Sequence, residues 1–273
     1  MHETVAGLVP AAGHGYFVRR GKWTSKLLAS VGGKAVIVHV VEALKESHSC
    51  KPILVVKNGV YGAAIQKSLK KLGQSDLFFA TQPWRIGTAD VLSRGIDLFA
   101  PMGITQVVMV FGDMLFVKPE TISELVELHQ INRPAITMLT VPIRKDHPLA
   151  RCFAQYGVVR RDSRGQVCGT IERRLVENVD DLPDGEHINP SVYVFNLAWA
   201  GQASPHVKPL DRRDGFTHEL PVTDLLRIAS EQRVRVLEVS REIPEQAIQV
   251  NKHADLLIAR KLYRQLKIQG GGL

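Results

Sequence analysis

An α/β fold, built from a mixed, mostly parallel sheet covered by helices and extended by a small antiparallel lobe, is predicted by three features of the sequence. Short apolar runs of strand length alternate with longer segments of helical period up to about Arg144. After Arg144 the rhythm changes to short strands around a turn. No internal repeat or low-complexity linker divides the chain, so residues 1–268 read as one domain with a glycine-rich tail at 269–273.

The apolar runs Val5–Val9, Ile53–Val56, Leu77–Ala80, Val107–Phe111 and Ile136–Val141 are the expected strands of the first half, 1–144. Between them lie the expected helices Ala35–Glu46, Tyr61–Leu72, Thr88–Phe99 and Glu120–Gln130, each connecting two strands. Ile37, Val40, Val41 and Leu44 recur at helical spacing and mark the buried face of the first. In the second half, 145–250, Tyr156–Arg160, a turn at Asp162–Gly165, Val167–Glu172 and Val192–Phe195 predict antiparallel strands. Leu182–Gly185 and Gln202–Gly215 read as exposed loops, followed by a helix at Val222–Gln232 and a strand at Val234–Val239. A last helix covers His253–Leu266, within 251–268.

Of the 273 residues 45% are hydrophobic, enough to bury a sizeable core, and 35 Lys and Arg against 27 Asp and Glu give a formal charge of +8. That balance suits anionic ligands, phosphates as well as nucleic acid, but the basic residues lack the aromatic interleaving of a nucleic-acid binder. Cys50, Cys152 and Cys168 are odd in number and widely spaced, which predicts free thiols rather than a disulfide framework or metal cage. No apolar stretch reaches a membrane span, and the start of the chain lacks signal-peptide character, so a cytoplasmic protein is expected.

The first strand runs into Ala11-Ala12-Gly13-His14-Gly15, where small residues let backbone N–H groups approach phosphate oxygens. Alone, such a loop is equally a tight turn. The residues downstream of it sharpen the reading: Arg19-Arg20-Gly21-Lys22, then Ser25-Lys26-Leu27-Leu28, then Val31-Gly32-Gly33-Lys34-Ala35. Further along come Gln82-Pro83-Trp84-Arg85-Ile86-Gly87-Thr88-Ala89, Phe111-Gly112-Asp113, Tyr156-Gly157, Ile171-Glu172, Ile188-Asn189, Val192-Tyr193-Val194-Phe195, Leu220-Pro221-Val222-Thr223-Asp224 and Val250-Asn251.

Taken in this order, these segments resemble the motifs of the sugar-phosphate nucleotidyltransferases over about Leu8 to Leu262. Within that family the chain is most similar to bacterial uridyltransferase (pyrophosphorylase) domains that precede a left-handed β-helix acetyltransferase, a β-helix this sequence lacks. The resemblance implies a Rossmann-like three-layer α/β/α nucleotidyltransferase fold, with 1–144 binding nucleotide and 145–250 binding acceptor. It implies transfer of a nucleoside monophosphate from an NTP, UTP first and CTP second, to a small phosphorylated acceptor such as N-acetylglucosamine 1-phosphate. It further implies Mg²⁺ held by Asp113 and Asn251, oxygen ligands of the kind a hard cation prefers.

On the same footing, Lys26 with Arg19 or Arg20 would neutralise the triphosphate. Ala11, Ala12, Gly13, His14, Gly15 and Gly112 would line the nucleotide, and Gln82 with Gly87 and Thr88 would read the base edge as amide donor and acceptor. Gly157, Glu172 and Asn189 would contact the acceptor, with Thr223 in support. Asp113 and Asn251 also suit helix caps. Tyr16-Phe17-Val18, Ser25 and Pro190-Ser191 depart from the family's Thr-Arg-Met, Pro and Thr-Gly, the last pair in the implied acceptor pocket.

Three further readings compete. A cytidylyltransferase for a polyol, choline-like or phosphonate acceptor is motivated by Pro190-Ser191, and a non-catalytic regulatory subunit by Tyr16-Phe17-Val18. A nucleotide-sugar glycosyltransferase is disfavoured because Gly112-Asp113-Met114 is not Asp-x-Asp. Neither nucleic acid nor membrane is an expected partner, and a homo-oligomer is left open.

Overall fold

The computed structural model describes residues 4–13, 15–19, 22–72, 76–83, 86–171, 185–210 and 219–268; the side chains of 16–19, 22–23, 71 and 154–155 lie outside that description. Strand β1 (Val5–Ala11) runs through the middle of the main sheet. A hairpin of β2 (Tyr16–Arg19) and β3 (Lys22–Ser25) comes next, then a second of β4 (Ser30–Val31) and β5 (Lys34–Ala35). The chain then alternates α1 (Val36–Glu46), β6 (Ile53–Asn58), α2 (Gly62–Leu69), β7 (Leu77–Gln82), α3 (Thr88–Phe99), β8 (Gln106–Val110), α4 (Pro119–Asn132) and β9 (Ile136–Pro142). The second half holds β10 (Val158–Arg161), β11 (Val167–Ile171), β12 (His187–Ile188), β13 (Val192–Asn196), α5 (Leu197–Ala203), α6 (Asp224–Glu231), β14 (Val236–Ser240) and α7 (His253–Ile268).

The sheet order is β11-β10-β12-β9-β13-β8-β1-β6-β7, with β14 parallel on β9. Strands β7, β6, β1 and β8 are parallel, whereas β13 lies antiparallel between β8 and β9. The crossover through α4 therefore skips a strand position, because the later Val192–Asn196 run inserts into the gap. Its five residues are buried or nearly so, as an interior strand requires.

Alternation along β1 explains the layers. Val5 and Val9 pack beneath α1 and α4, against Ile37, Val40, Val41, Leu44, Ile122 and Leu125. Ala6 and Leu8 face the other way, toward Val91, Leu92, Phe99, Ala200, Leu225 and Ile228 of α3, α5 and α6. The four predicted α1 residues are fully buried, each contributing roughly 1.5–3 kcal/mol relative to exposure. A third cluster joins α7, through Leu256, Ala259 and Leu262, to Phe153, Tyr156, Val158 and Ile188 of the lobe.

Predicted and observed boundaries differ mainly at short elements. The helix expected over Tyr61–Leu72 ends at Leu69 and finishes as a 3-10 turn, Lys70–Leu72. Part of the loop expected over Gln202–Gly215 is helical: α5 includes Gln202 and Ala203, and a 3-10 turn spans Ser204–His206. The Asn196 side chain accepts from Trp199 N–H at 2.9 Å and starts α5 directly from β13. Of the loop expected at Leu182–Gly185, positions 182–184 lie outside the described residues. Among the described residues no helix is long and apolar enough to cross a membrane.

Candidate active site

The parallel strands deliver their carboxyl ends to one edge of the sheet, where crevices open in layered α/β folds. Here a cavity of about 570 Å³ is lined by the loop after β1, the end of β7, the start of α3, the segment after β8 and the strand-like stretch before α7.

Three polar side chains from distant sequence positions meet on its wall. Lys26 Nζ forms an ion pair with Asp113 Oδ2 and donates to Asn251 Oδ1 at 2.5 Å. Asp113 is 7% exposed, and its Oδ1 is buried with no hydrogen-bond partner. Each group is aimed by local structure. The Ser25 hydroxyl accepts from Leu27 N–H at 3.3 Å, capping the short turn that carries Lys26. The Lys26 N–H donates to the Gly15 carbonyl at 2.9 Å, so the loop and the lysine are laced together. A Cβ on Gly15 would fall 2.3 Å from Lys26 Cδ, so only glycine lets that stem cross. Asp255 Oδ2 accepts from the N–H groups of Asn251 and Lys252 at 2.9 and 2.7 Å. With that cap supplied by Asp255, the Asn251 side chain is left at the cavity wall, where its Oδ1 meets Lys26.

The base-side wall is equally fixed. Gly87 has φ +114°, and a Cβ there would lie 2.3 Å from the Leu220 carbonyl oxygen. Ala89 N–H donates to that carbonyl at 2.9 Å, and Val222 N–H donates to Thr88 Oγ1 at 2.8 Å, zipping the start of α3 to 220–222. Gln82, 5% exposed, donates from Nε2 to the Gly87 carbonyl at 3.0 Å and to Asp90 Oδ2 at 2.7 Å. Asp90 is held in turn by Arg94 Nε at 2.8 Å. Both partners of Nε2 are pure acceptors, so the amide orientation is determined and Oε1 is the atom left for a ligand. The expectation that Gln82 offers donor and acceptor is thus revised to acceptor alone.

Of the predicted site residues, Ala12, Gly13, Gly15, Lys26, Gln82, Gly87, Thr88, Asp113 and Asn251 line this one cavity. Ala11 does not; it is 1% exposed, paired with Lys57 and packed in the core. Gly112 stands behind the wall, its N–H donating to the Pro10 carbonyl at 3.0 Å. A Cβ there would press on Pro10, so this glycine serves the close approach of the two strand ends. Gly157, Asn189 and Thr223 also stay off the cavity lining. The Gly157 carbonyl accepts Asn189 N–H at 2.9 Å, Asn189 Nδ2 donates to Tyr193 Oη at 2.5 Å, and the Thr223 carbonyl accepts Leu226 N–H at 3.1 Å. The backbone puts Arg19 at the tip of the β2–β3 hairpin opposite Lys22, and its side chain is outside the description. His14, Arg20 and Glu172 lie outside the described residues.

The cavity also recruits Glu219, Gln249 and Asp90, to which the sequence assigns no role, and Ser191, of the pair placed in the implied acceptor pocket. Ser191, Glu219 and Gln249 line it, and Asp90 orients Gln82. Gln249 Nε2 donates to the Pro190 carbonyl at 3.1 Å, while its Oε1 accepts from Asn251 Nδ2 at 3.3 Å. Tyr156, fully buried, donates to the Ala247 carbonyl at 2.5 Å and accepts from Gln249 N–H at 2.7 Å. Burial holds its phenol well above the ordinary value, so it stays a neutral strut. The two-residue spacing of Gln249 and Asn251 in an extended stretch was the available signal, since alternate residues share a side. Among the described residues no group of three or more His, Cys, Asp or Glu converges as a metal cage.

Fold and site together define a nucleotidyltransferase with a Rossmann-like mixed sheet. Residues 7–181 match the family model of the MobA-like NTP transferase domain, and the chain belongs to that family. Bifunctional protein GlmU of Dichelobacter nodosus is 25% identical over 269 residues, 98% of this chain and 53% of that protein. GlmU of Lactobacillus gasseri is 29% identical over 265 residues, 94% of this chain and 51% of its own. The chain therefore spans about half the length of the curated relatives it matches.

A Bacillus anthracis structure assigned as a glucose-1-phosphate thymidylyltransferase, in complex with a sucrose, superposes with a TM-score of 0.70 at 18% identity, covering 96% of each chain. A CMP:2-keto-3-deoxy-manno-octonic acid synthetase complexed with CTP superposes with a TM-score of 0.65 at 14% identity, covering 96% of this chain and 99% of that one. At these identities the structural likeness establishes the fold.

Proposed function

We propose that the chain transfers UMP from UTP to a sugar 1-phosphate, N-acetylglucosamine 1-phosphate being the first candidate, with release of pyrophosphate in the cytoplasm. Residues 1–268 would act as one unit. The observation that carries this reading is the convergence of Lys26, Asp113 and Asn251 on one point of a cavity walled by Ala12, Gly13 and Gly15.

In the proposed reaction an acceptor phosphate oxygen attacks the α-phosphorus of UTP. The new P–O bond forms in line with the breaking α–β bridge, and pyrophosphate takes that electron pair. No enzyme nucleophile is needed; positioning and charge neutralisation lower the barrier. Ala12, Gly13 and Gly15 would offer backbone N–H groups to the phosphates, and Lys26 would supply the cation beside them. Gln82 Oε1 would accept from the uracil N3–H, its amide held in that sense by Asp90 and Gly87. Ser191 and Gln249 line the same cavity, Gln249 joined to Asn251, and the acceptor would lie beside them.

Mg²⁺ is the proposed cofactor, and the residues fit it: Asp113 brings one carboxylate oxygen onto the Lys26 ammonium and a second that is buried and unpartnered among the described residues, while Asn251 brings an amide oxygen to the same point. When bound, such an ion would neutralise phosphate charge. The uridyl and sugar choice follows the motif resemblance of the sequence; the relatives named GlmU are likenesses over about half of their own length.

The test is pyrophosphate release in Mg²⁺ with UTP, CTP, dTTP, ATP or GTP against sugar 1-phosphates and phosphocholine-like acceptors, with Asp113→Ala as control. Release with UTP and a sugar 1-phosphate, lost in the variant, is expected. Release with CTP and not UTP would replace the uridyl reading by the cytidylyl one, and no release from folded protein with any pair would overturn the transferase reading.

A further inference from the structure

Ser191 sits where its backbone would prefer glycine. The strand pair β12 and β13 runs antiparallel to β9, with Ile188 opposite Val141 and Tyr193 opposite Met138. Five residue steps on this strand thus face three on β9, and the surplus forms a bulge at 189–191. Within it Ser191 takes φ +66°, the left-handed region that a non-glycine residue with no helix or hairpin duty occupies only under constraint.

The constraint is visible on both sides of the residue. Asn189 Oδ1 accepts from Ser191 N–H at 3.0 Å, and Gln249 Nε2 donates to the carbonyl of Pro190 at 3.1 Å. Asn189 is itself buried and anchored on Tyr193 Oη. Two buried or half-buried amides are therefore spent on holding one strained residue at the cavity surface. Strain of this kind persists where the surroundings over-determine it, and it concentrates at ligand clamps.

The side chain so displayed is a short hydroxyl. Ser191 lines the cavity with Gln249, Asn251 and Lys26, and among the described residues its hydroxyl makes no hydrogen bond, only its N–H does. A hydroxyl left open at a strained, doubly clamped cavity position is free to bond a ligand. Its place is also informative. From Ser191 the contacts run through Pro190 and Gln249 to Asn251 and then to Lys26. Those contacts tie Ser191 to the Lys26 end of the cavity, and among the described residues none of them joins it to Gln82 or Gly87.

We propose that Ser191 is a specificity-determining residue for the acceptor, its hydroxyl bonding a hydroxyl or amide on the acceptor's body outside the reacting phosphate. This rests on the transferase reading above and narrows it: the acceptor is a polyhydroxylated phosphate rather than a cationic, choline-like one, which has no hydrogen-bonding body to offer.

The experiment compares Ser191→Ala, which keeps a Cβ in the strained position and removes the hydroxyl, with Ser191→Gly, which removes both. Steady-state kinetics use UTP and N-acetylglucosamine 1-phosphate, and melting temperature is read in parallel. Both variants should raise the acceptor KM roughly five- to tenfold, the factor carried by one lost hydrogen bond, with the UTP KM unchanged. The glycine variant should melt higher than the alanine variant, because it alone relieves the backbone. An unchanged acceptor KM in Ser191→Ala, or an equal rise in the UTP KM, overturns the proposal while leaving the transferase reading intact. A wild-type protein with no turnover on any nucleotide and acceptor pair overturns both.

Discussion

Replacing Lys26 by methionine should move metal binding and catalysis in opposite directions. The ammonium lies against Asp113 Oδ2 and 2.5 Å from Asn251 Oδ1, the two oxygens proposed for Mg²⁺. A divalent ion cannot reach that point while the ammonium holds it, so binding must displace Lys26 first. Opposite unit charges 4 Å apart attract by about 4 kcal/mol at an effective dielectric constant of 20. The side chains are 13% and 9% exposed, and desolvation offsets part of the attraction. What remains is about 1.5–3 kcal/mol, the usual net value of a charged hydrogen bond. Lys26→Met keeps the apolar stem beside Gly15 and deletes this competition. Mn²⁺ binding to the nucleotide-free protein, followed by electron paramagnetic resonance, should tighten roughly tenfold to a hundredfold. The same variant should lose on the order of 10²–10³ in turnover, since the charge facing the phosphates is gone. Mn²⁺ affinity equal to or below wild type would refute this reasoning, because Asp113 and Asn251 would then not be the oxygens a metal takes.

The geometry leads to three other outcomes. Asp90→Asn replaces one of the two pure acceptors on Gln82 by an amide that can also donate to its Oε1, so discrimination between UTP and CTP, measured as the ratio of kcat/KM, should fall several-fold with little change in melting temperature. Gly87→Ala puts a Cβ 2.3 Å from the Leu220 carbonyl at φ +114°, and urea unfolding should show a loss of more than about 2 kcal/mol together with a raised UTP KM. Buried His129, whose Nδ1 is 2.8 Å from Thr137 Oγ1, is lowered by burial to about 4. The unfolded chain therefore takes up a proton below pH 6.5 that the folded one refuses, and stability falls as pH drops from 6.5 toward 4. At about 1.4 kcal/mol per unit, roughly 2 kcal/mol should be lost between pH 6.5 and 5, and urea midpoints of His129→Gln should show a shallower pH slope.

The fold was legible where periodicity was long. The α1 stripe of Ile37, Val40, Val41 and Leu44 and the apolar run Val107–Val110 of β8 are each decided by a single burial pattern, and both elements lie within a residue or two of their expected bounds. The insertion of β13 between β8 and β9 was not legible, because sheet order is set by which edges meet after collapse and leaves no trace in local period. The β2–β3 hairpin and seven-residue α5 escaped for the opposite reason: each is shorter than the window in which a period can be told from chance.

The candidate site divides along the same line. Groups proposed to face phosphate or metal sit in loops whose small residues or charges are local signals, so Gly13, Gly15, Lys26 and Asp113 could be named in advance and share one cavity. Groups that act by holding another side chain carry no such mark. Asp90 reads as an ordinary acidic residue in the first turn of α3, and Gln249 as a polar residue in an extended stretch. Their value arises only when Gln82 and Asn251 arrive beside them from elsewhere in the chain. An amide at a ligand site is ambiguous until a neighbour of one polarity fixes it. In this protein the amides of Gln82 and Asn251 are fixed, Gln82 by two acceptors on its nitrogen and Asn251 by a cation on its oxygen and Gln249 on its nitrogen. Substitutions at Asp90 and Gln249 should therefore degrade selectivity before they degrade folding, which is how a positioning residue differs from a core one.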